Sequence, residues 1–148
     1  MSNAMDALRT LSARITVLLA LTIPLACSAA DQAGTSVKIF AVLPDGTWRE
    51  GSLNFGKHEL RVSGAVKDAL GVTGGEYTAD GERDFSFACT VPIASGPLRS
   101  VVWKGTFQTG KDDAPGTAAG NISLLPRDPQ ARTVTLRFTS ERPRPKRN

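Results

Sequence analysis

The chain has 148 residues, a formal net charge of +4, a single histidine (His58) and two cysteines (Cys27 and Cys89). That length holds one domain beyond any targeting segment, two cysteines rule out a disulfide-framed scaffold, and one histidine rules out a multi-histidine zinc site. The positive charge is terminal: 12 Lys and Arg stand against 13 Asp and Glu from Asp31 to Glu141, and the end of the chain then adds Arg142, Arg144, Lys146 and Arg147. This distribution argues against a basic folded face that grips nucleic acid.

From Met5 a short segment carrying Arg9 and Arg14 leads into an uncharged apolar run, Ile15 to Ile23. That order reads as a secretory signal peptide with a signal helix at its centre, and the run falls well short of the roughly 20 apolar residues a membrane span needs. Ser28, Ala29 and Ala30 supply small residues for a cut before Asp31. Cys27 offers the alternative of lipidation, but Pro24 stands where a lipoprotein pattern wants an apolar residue, usually leucine. The expected organisation is a signal peptide over 1–30, whose prefix MSNA at 1–4 is either an expression scar or native, a β-domain over 31–141 and a basic, proline-rich tail over 142–148. The expected location is the periplasm or the exterior, with a membrane-anchored lipoprotein as the lesser alternative.

The mature segment breaks into apolar-alternating runs separated by Gly, Pro, Asp and Asn, the rhythm of an all-β barrel or sandwich. Ser36 to Leu43 is a β-branched and aromatic strand ending at the turn formers Pro44, Asp45 and Gly46. Thr47 to Phe55 returns. Trp48 lies in one alternation phase and Leu53 and Phe55 in the other, so the pattern predicts a bulge near Glu50 and Gly51. His58 to Val62 is a short third strand. Ala65, Val66, Ala69 and Leu70 then recur at helical spacing, giving one short helix near 64–70 with Ser63 as its expected N-cap and Gly71 at its end. A hairpin is expected at Asp80-Gly81, between Tyr77 and Phe85.

Phe85 to Ile93 has the cleanest alternation in the chain: Phe85, Phe87, Cys89, Val91 and Ile93 share one face. Leu98 to Gln108 brings Val101, Trp103 and Phe107 into phase, Thr117 to Leu125 points Ile122 and Leu124 inward, and Ala131 to Thr139 does the same with Val134, Leu136 and Phe138. The short connections favour antiparallel neighbours, so the expected fold is an antiparallel β-meander of about seven or eight strands.

Candidate chemistry is sparse. Cys89, placed in an apolar row, reads as a buried and inert thiol rather than a nucleophile. His58, in a Gly-Lys-His turn, reads as a solvated turn residue. Gly105 to Asp112 (GTFQTGKD) approaches a phosphate-binding loop, but Asp112 replaces the hydroxyl residue that loop requires, and a hairpin turn is the better reading. Asp80, Glu82 and Asp84 alternate around a turn and are the candidate metal ligands, of the oxygen-donor type that suits calcium. Trp103, Phe107 and Phe138 would line an apolar ligand site if the interior were left unfilled. Arg142, Arg144, Lys146 and Arg147 are the candidate contacts for a polyanion. The reading that joins these observations is an exported cell-envelope protein, non-catalytic and without a cofactor, that binds a protein or an anionic envelope polymer through its loops and tail, with membrane contact only if Cys27 is lipidated. A small lipocalin-like carrier of an apolar ligand is the alternative, and a hydrolytic enzyme a third class.

Overall fold

Alternation along the strands decides which side chains leave water, and in this protein it closes the sheet on itself. The computed structural model describes residues 32–144; the signal segment with Cys27, and Lys146 and Arg147 of the tail, lie outside the described residues. Eight strands follow one another: β1 Thr35–Val42, β2 Trp48–Phe55, β3 Glu59–Gly64, β4 Gly74–Asp80, β5 Phe85–Pro92, β6 Leu98–Gln108, β7 Thr117–Pro126 and β8 Val134–Thr139. A single turn-and-a-half helix, α1 Ala65–Leu70, sits between β3 and β4. Each strand pairs antiparallel with the next and β8 returns to β1, so the meander is a closed barrel and not a sandwich.

The inward row of β5 is as the sequence implies: Phe85, Phe87, Cys89 and Val91 are buried while Ser86, Thr90 and Pro92 are exposed. Opposite them, β6 contributes Val101, Trp103 and Phe107, β7 contributes Ala118, Ile122 and Leu124, and β8 contributes Leu136 and Phe138. Small barrels are filled by their own side chains, and aromatic rings do most of the filling here. Phe55 is the centre of the group, with ring centroids 5.5 Å from Tyr77, 5.1 Å from Phe85 and 5.0 Å from Phe87, each in an edge-on geometry. Phe85 stacks on Phe107 at 5.0 Å, and Trp103 lies 5.5 Å from Phe138.

Two glycine pairs make room for this interior. Gly105 and Gly120 face each other across β6 and β7, and a Cβ on either would stand 2.7 or 2.8 Å from Cζ of Phe138. Gly51 and Gly64 face each other across β2 and β3, where a Cβ on Gly51 would stand 3.0 Å from the buried Val66 of α1. The helix can therefore press against the barrel wall, and Val66 closes that end. The opposite end is closed by the Phe55 group, by the Tyr77 hydroxyl donating to the Gly56 carbonyl at 2.7 Å, and by buried Gln32, whose Nε2 donates to the Gly81 carbonyl at 2.9 Å.

Several details differ from the sequence reading. No bulge interrupts β2, which pairs with β1 in unbroken register from Thr35↔Phe55 to Val42↔Trp48. The apparent phase change arises because Gly51 occupies an inward position without a side chain, while Trp48 points outward. The register irregularity lies instead between Leu98 and Ser100, in β6. Ser63 is a residue of β3 and does not cap α1; Gly64, at φ 79°, makes the entry with no side-chain cap, and Gly71 ends the helix in the left-handed conformation. The third strand runs on to Gly64, the segment before the Asp80 turn is a full strand, and β8 begins at Val134 rather than Ala131. Val134 is 44% exposed because it lies at the strand's beginning, beyond the filled interior.

The seam between β1 and β8 is short, with only Phe40↔Thr139 and Ala41↔Phe138 paired. Elsewhere the loops are fastened individually. Arg127 reaches from the end of β7 to the β5–β6 connection, its guanidinium donating to the carbonyls of Ile93, Gly96 and Leu98 at 2.7, 3.1 and 3.2 Å. The planar guanidinium presents its Nε and Nη2 donors to the three carbonyls at once.

Two outcomes are expected from this packing. Phe55→Ala should lower the denaturant-extrapolated unfolding free energy by about 3–5 kcal/mol, because it empties the site where four strands meet. Arg127→Lys should leave the global unfolding midpoint nearly unchanged while hydrogen exchange at residues 94–96 accelerates; unchanged exchange there would show that the guanidinium does not hold the loop.

Candidate functional site

The outer face of β1 and β2 carries two aromatic side chains, Phe40 and Trp48, among polar neighbours. Lys38, Phe40 and Val42 point outward on β1, and Trp48, Glu50 and Ser52 on β2, with Phe40 opposite Glu50 and Val42 opposite Trp48. Trp48 is 39% exposed and, with Val134, is one of two large apolar residues exposed among those described. Its position is fixed by the preceding turn. The Asp45 carboxylate accepts from the Thr47 hydroxyl at 2.7 Å and the Thr47 amide at 2.9 Å, and the Leu43 amide donates to the Thr47 carbonyl at 2.8 Å. The same side-chain and backbone hydrogen bonds from Thr47 hold the Asp45 carboxyl below its ordinary pKa.

The tail is brought to this face by the end of β8. The Ser140 amide donates to the Ala118 carbonyl at 2.8 Å, and the Ala118 amide donates back to the Ser140 hydroxyl at 2.6 Å, so the chain leaves the barrel from a fixed point. Arg142, Pro143 and Arg144 then line a groove of about 630 Å³ together with Phe40, Gly46, Trp48 and Glu50. Glu50 is held by Lys38, Nζ to Oε1 2.8 Å, an exposed pair that adds little stability but orients the carboxylate. The groove thus combines one open aromatic face, two guanidinium forks and one acceptor. Arg142 and Arg144 were candidates from the sequence, but their meeting with Trp48 was not legible there, although the outward phase of Trp48 was the available signal.

The other candidate residues are placed elsewhere. Trp103, Phe107 and Phe138 are buried in the barrel and in ring contact with aromatic neighbours, so they fill the interior instead of lining an opening. The indole Nε1 of Trp103 is a buried donor with no hydrogen-bond partner. Asp84 is engaged structurally: its Oδ1 accepts from the Thr109 amide at 2.8 Å, while the Thr109 hydroxyl donates to the Arg83 carbonyl at 2.7 Å. Among the described residues no three carboxylate, histidine or cysteine side chains converge on a metal-sized site, Asp80, Glu82 and Asp84 included. The phosphate-loop resemblance dissolves because Gly105 to Gln108 belong to β6 and no helix follows.

His58 is exposed in the β2–β3 turn, where its carbonyl accepts from the Tyr77 amide and its side chain borders a separate surface depression with Lys57 and Arg61. Cys89 is buried at the centre of β5 with its Sγ 3.5 Å from the Gly75 carbonyl, and burial pushes its thiol from an ordinary 9.0 up to about 11. A thiol so placed is neither ionised nor accessible at neutral pH.

No known protein family, curated protein or solved structure matches the chain.

Cys89 gives a direct check on the core. An acid whose folded-state pKa lies above its unfolded value stabilises the fold fully below the unfolded value and loses that contribution as pH rises. The stability of the wild-type protein should therefore fall relative to Cys89→Ala between pH 9.0 and about 11. In the native state at pH 7 a water-soluble alkylating reagent should leave Cys89 unmodified, and modification at the rate of free cysteine would overturn its burial.

Proposed function

We propose that this protein is an exported, non-catalytic binding module of the cell envelope that engages a protein or anionic polymer partner through the β1–β2 face and the basic tail. The observation that carries the reading is the juxtaposition of exposed Trp48 with Arg142 and Arg144 in one groove on a rigid sheet. Tryptophan and arginine contribute heavily where surfaces recognise partners, because both offer large contact area with directional hydrogen bonding. Lys146 and Arg147 follow within the same seven-residue tail and add to its positive charge.

Export is supported by the charged and then apolar N-terminal segment and by the small residues before Asp31. The barrel's polarity is the reverse of a lipid-facing barrel: apolar side chains point inward and most outward positions are polar or charged. Close ring contacts among Phe87, Trp103 and Phe138 favour a filled barrel, which supports binding at the surface over the carriage of an apolar ligand inside.

Fluorescently labelled protein should bind the isolated envelope fraction of its host saturably, and binding should weaken as salt is raised from 50 to 300 mM. Trp48→Ala and the double substitution Arg142→Ala/Arg144→Ala should each reduce it by about tenfold while the thermal midpoint stays within a few degrees. Variants that bind as well as wild type would reject the groove. Native mass spectrometry of material from the host should give a mature chain starting at Asp31; an added acyl mass on Cys27 would replace secretion with anchoring.

A further inference from the structure

Resting on that reading of the groove, we propose that its ligand is an acidic polysaccharide, a polymer whose sugar rings carry carboxylates. Three features of the groove select this chemistry. The Trp48 ring is a partly exposed flat platform, 39% accessible, in a lining it shares with Gly46, which adds no side chain to the groove. A pyranose ring presents an apolar face of axial C–H bonds that packs on such a platform, whereas a phosphate chain has no equivalent face. Arg142 and Arg144 alternate along the tail with Pro143 between them, so two guanidinium forks stand at successive positions along the groove. A planar fork matches a carboxylate through two parallel hydrogen bonds.

Glu50 supplies the third feature. A groove built only for anions would exclude a carboxylate, yet Glu50 lies in the lining, paired with Lys38 at 2.8 Å. An oriented carboxylate oxygen accepts from sugar hydroxyls, which phosphate polymers and phospholipid headgroups of the phosphate-only type do not offer. A membrane surface is the competing occupant for a basic tail beside a tryptophan. Interfacial binding, however, needs a continuous apolar face to enter the headgroup layer. Here the half-buried Phe40 and a single open indole are bordered by Glu50 and Lys38.

The test uses the full mature chain, 31–148, and four probes at 0.15 M salt: polygalacturonate, neutral dextran, inorganic polyphosphate, and vesicles containing anionic phospholipid. Polygalacturonate should bind and shift the emission of Trp48, and dextran should not bind measurably. Trp48→Phe should retain most of the affinity, Trp48→Ala should lose about tenfold, and Glu50→Gln should weaken polygalacturonate binding despite making the groove more positive. Polyphosphate should bind more weakly and with equal affinity to wild type and Trp48→Ala. If polyphosphate or vesicles bind as tightly as polygalacturonate, or if Glu50→Gln tightens polygalacturonate binding, the groove reads charge alone and the proposal fails. If the labelled protein binds host envelope in a Trp48-dependent way but ignores polygalacturonate, the polysaccharide class is wrong and the binding-module reading survives. If neither binds, both fall together.

Discussion

The ring of Phe55 is the contact on which the barrel turns. It projects from β2 across the interior and meets Tyr77 of β4, Phe85 and Phe87 of β5 and Phe107 of β6, four rings on the opposite wall. Edge-on approach places the positive rim of one ring against the negative face of another, a preference that adds direction to the otherwise non-directional burial of apolar area. A sheet of eight strands can curl to various degrees; one whose inner residues must satisfy this cluster has little choice of curvature. The glycines at 105 and 120 show how full the interior is. Where the Phe138 ring crosses β6 and β7, the wall has no side chains of its own.

A filled interior moves any recognition to the outside. The strands then serve as a rigid mount, with their connections tied down by local hydrogen bonds such as those of Asp45 to Thr47 and of Arg127 to the β5–β6 loop. Rigid mounting matters for binding because a preorganised surface loses little freedom when it is occupied. Trp48 gains this advantage from the hydrogen-bonded turn before it. The tail gains part of it from the exchange of hydrogen bonds between Ser140 and Ala118.

Much of the architecture was legible because half-buried antiparallel strands write their faces into the sequence as a period of two. Phe85 to Val91, Val101 with Trp103, and Leu136 with Phe138 all lie as their alternation implies. Legibility failed where a position carried no side chain to vote with. Gly51 occupies an inward place silently, so the aromatic Trp48 looked like a phase shift when it was an outward residue in perfect register. The helix cap failed for a related reason: local propensity favours a serine, but Ser63 is needed in the β3 ladder opposite Ser52, and the positive φ that starts the helix falls to Gly64. Only the tail's arginines could be read as a candidate; the groove itself could not, since it joins residues from the first two strands to residues beyond the last. Only closure of the sheet makes them neighbours.

That closure has an order built into it. Every strand pair except β1–β8 consists of sequence neighbours, and such hairpins have little chain entropy to overcome before they form. The β1–β8 pairing spans nearly the whole domain and contributes only two residue pairs, so it comes last and has the smallest ladder to hold it. A chain emerging from its N-terminus first is therefore an open, curved sheet with unpaired edges until β8 arrives. The surface that combines Trp48 with Arg142 and Arg144 exists only after that moment. The groove is thus a property of the finished barrel alone: a chain that ends before β8 carries the tryptophan without its arginines and has no such surface.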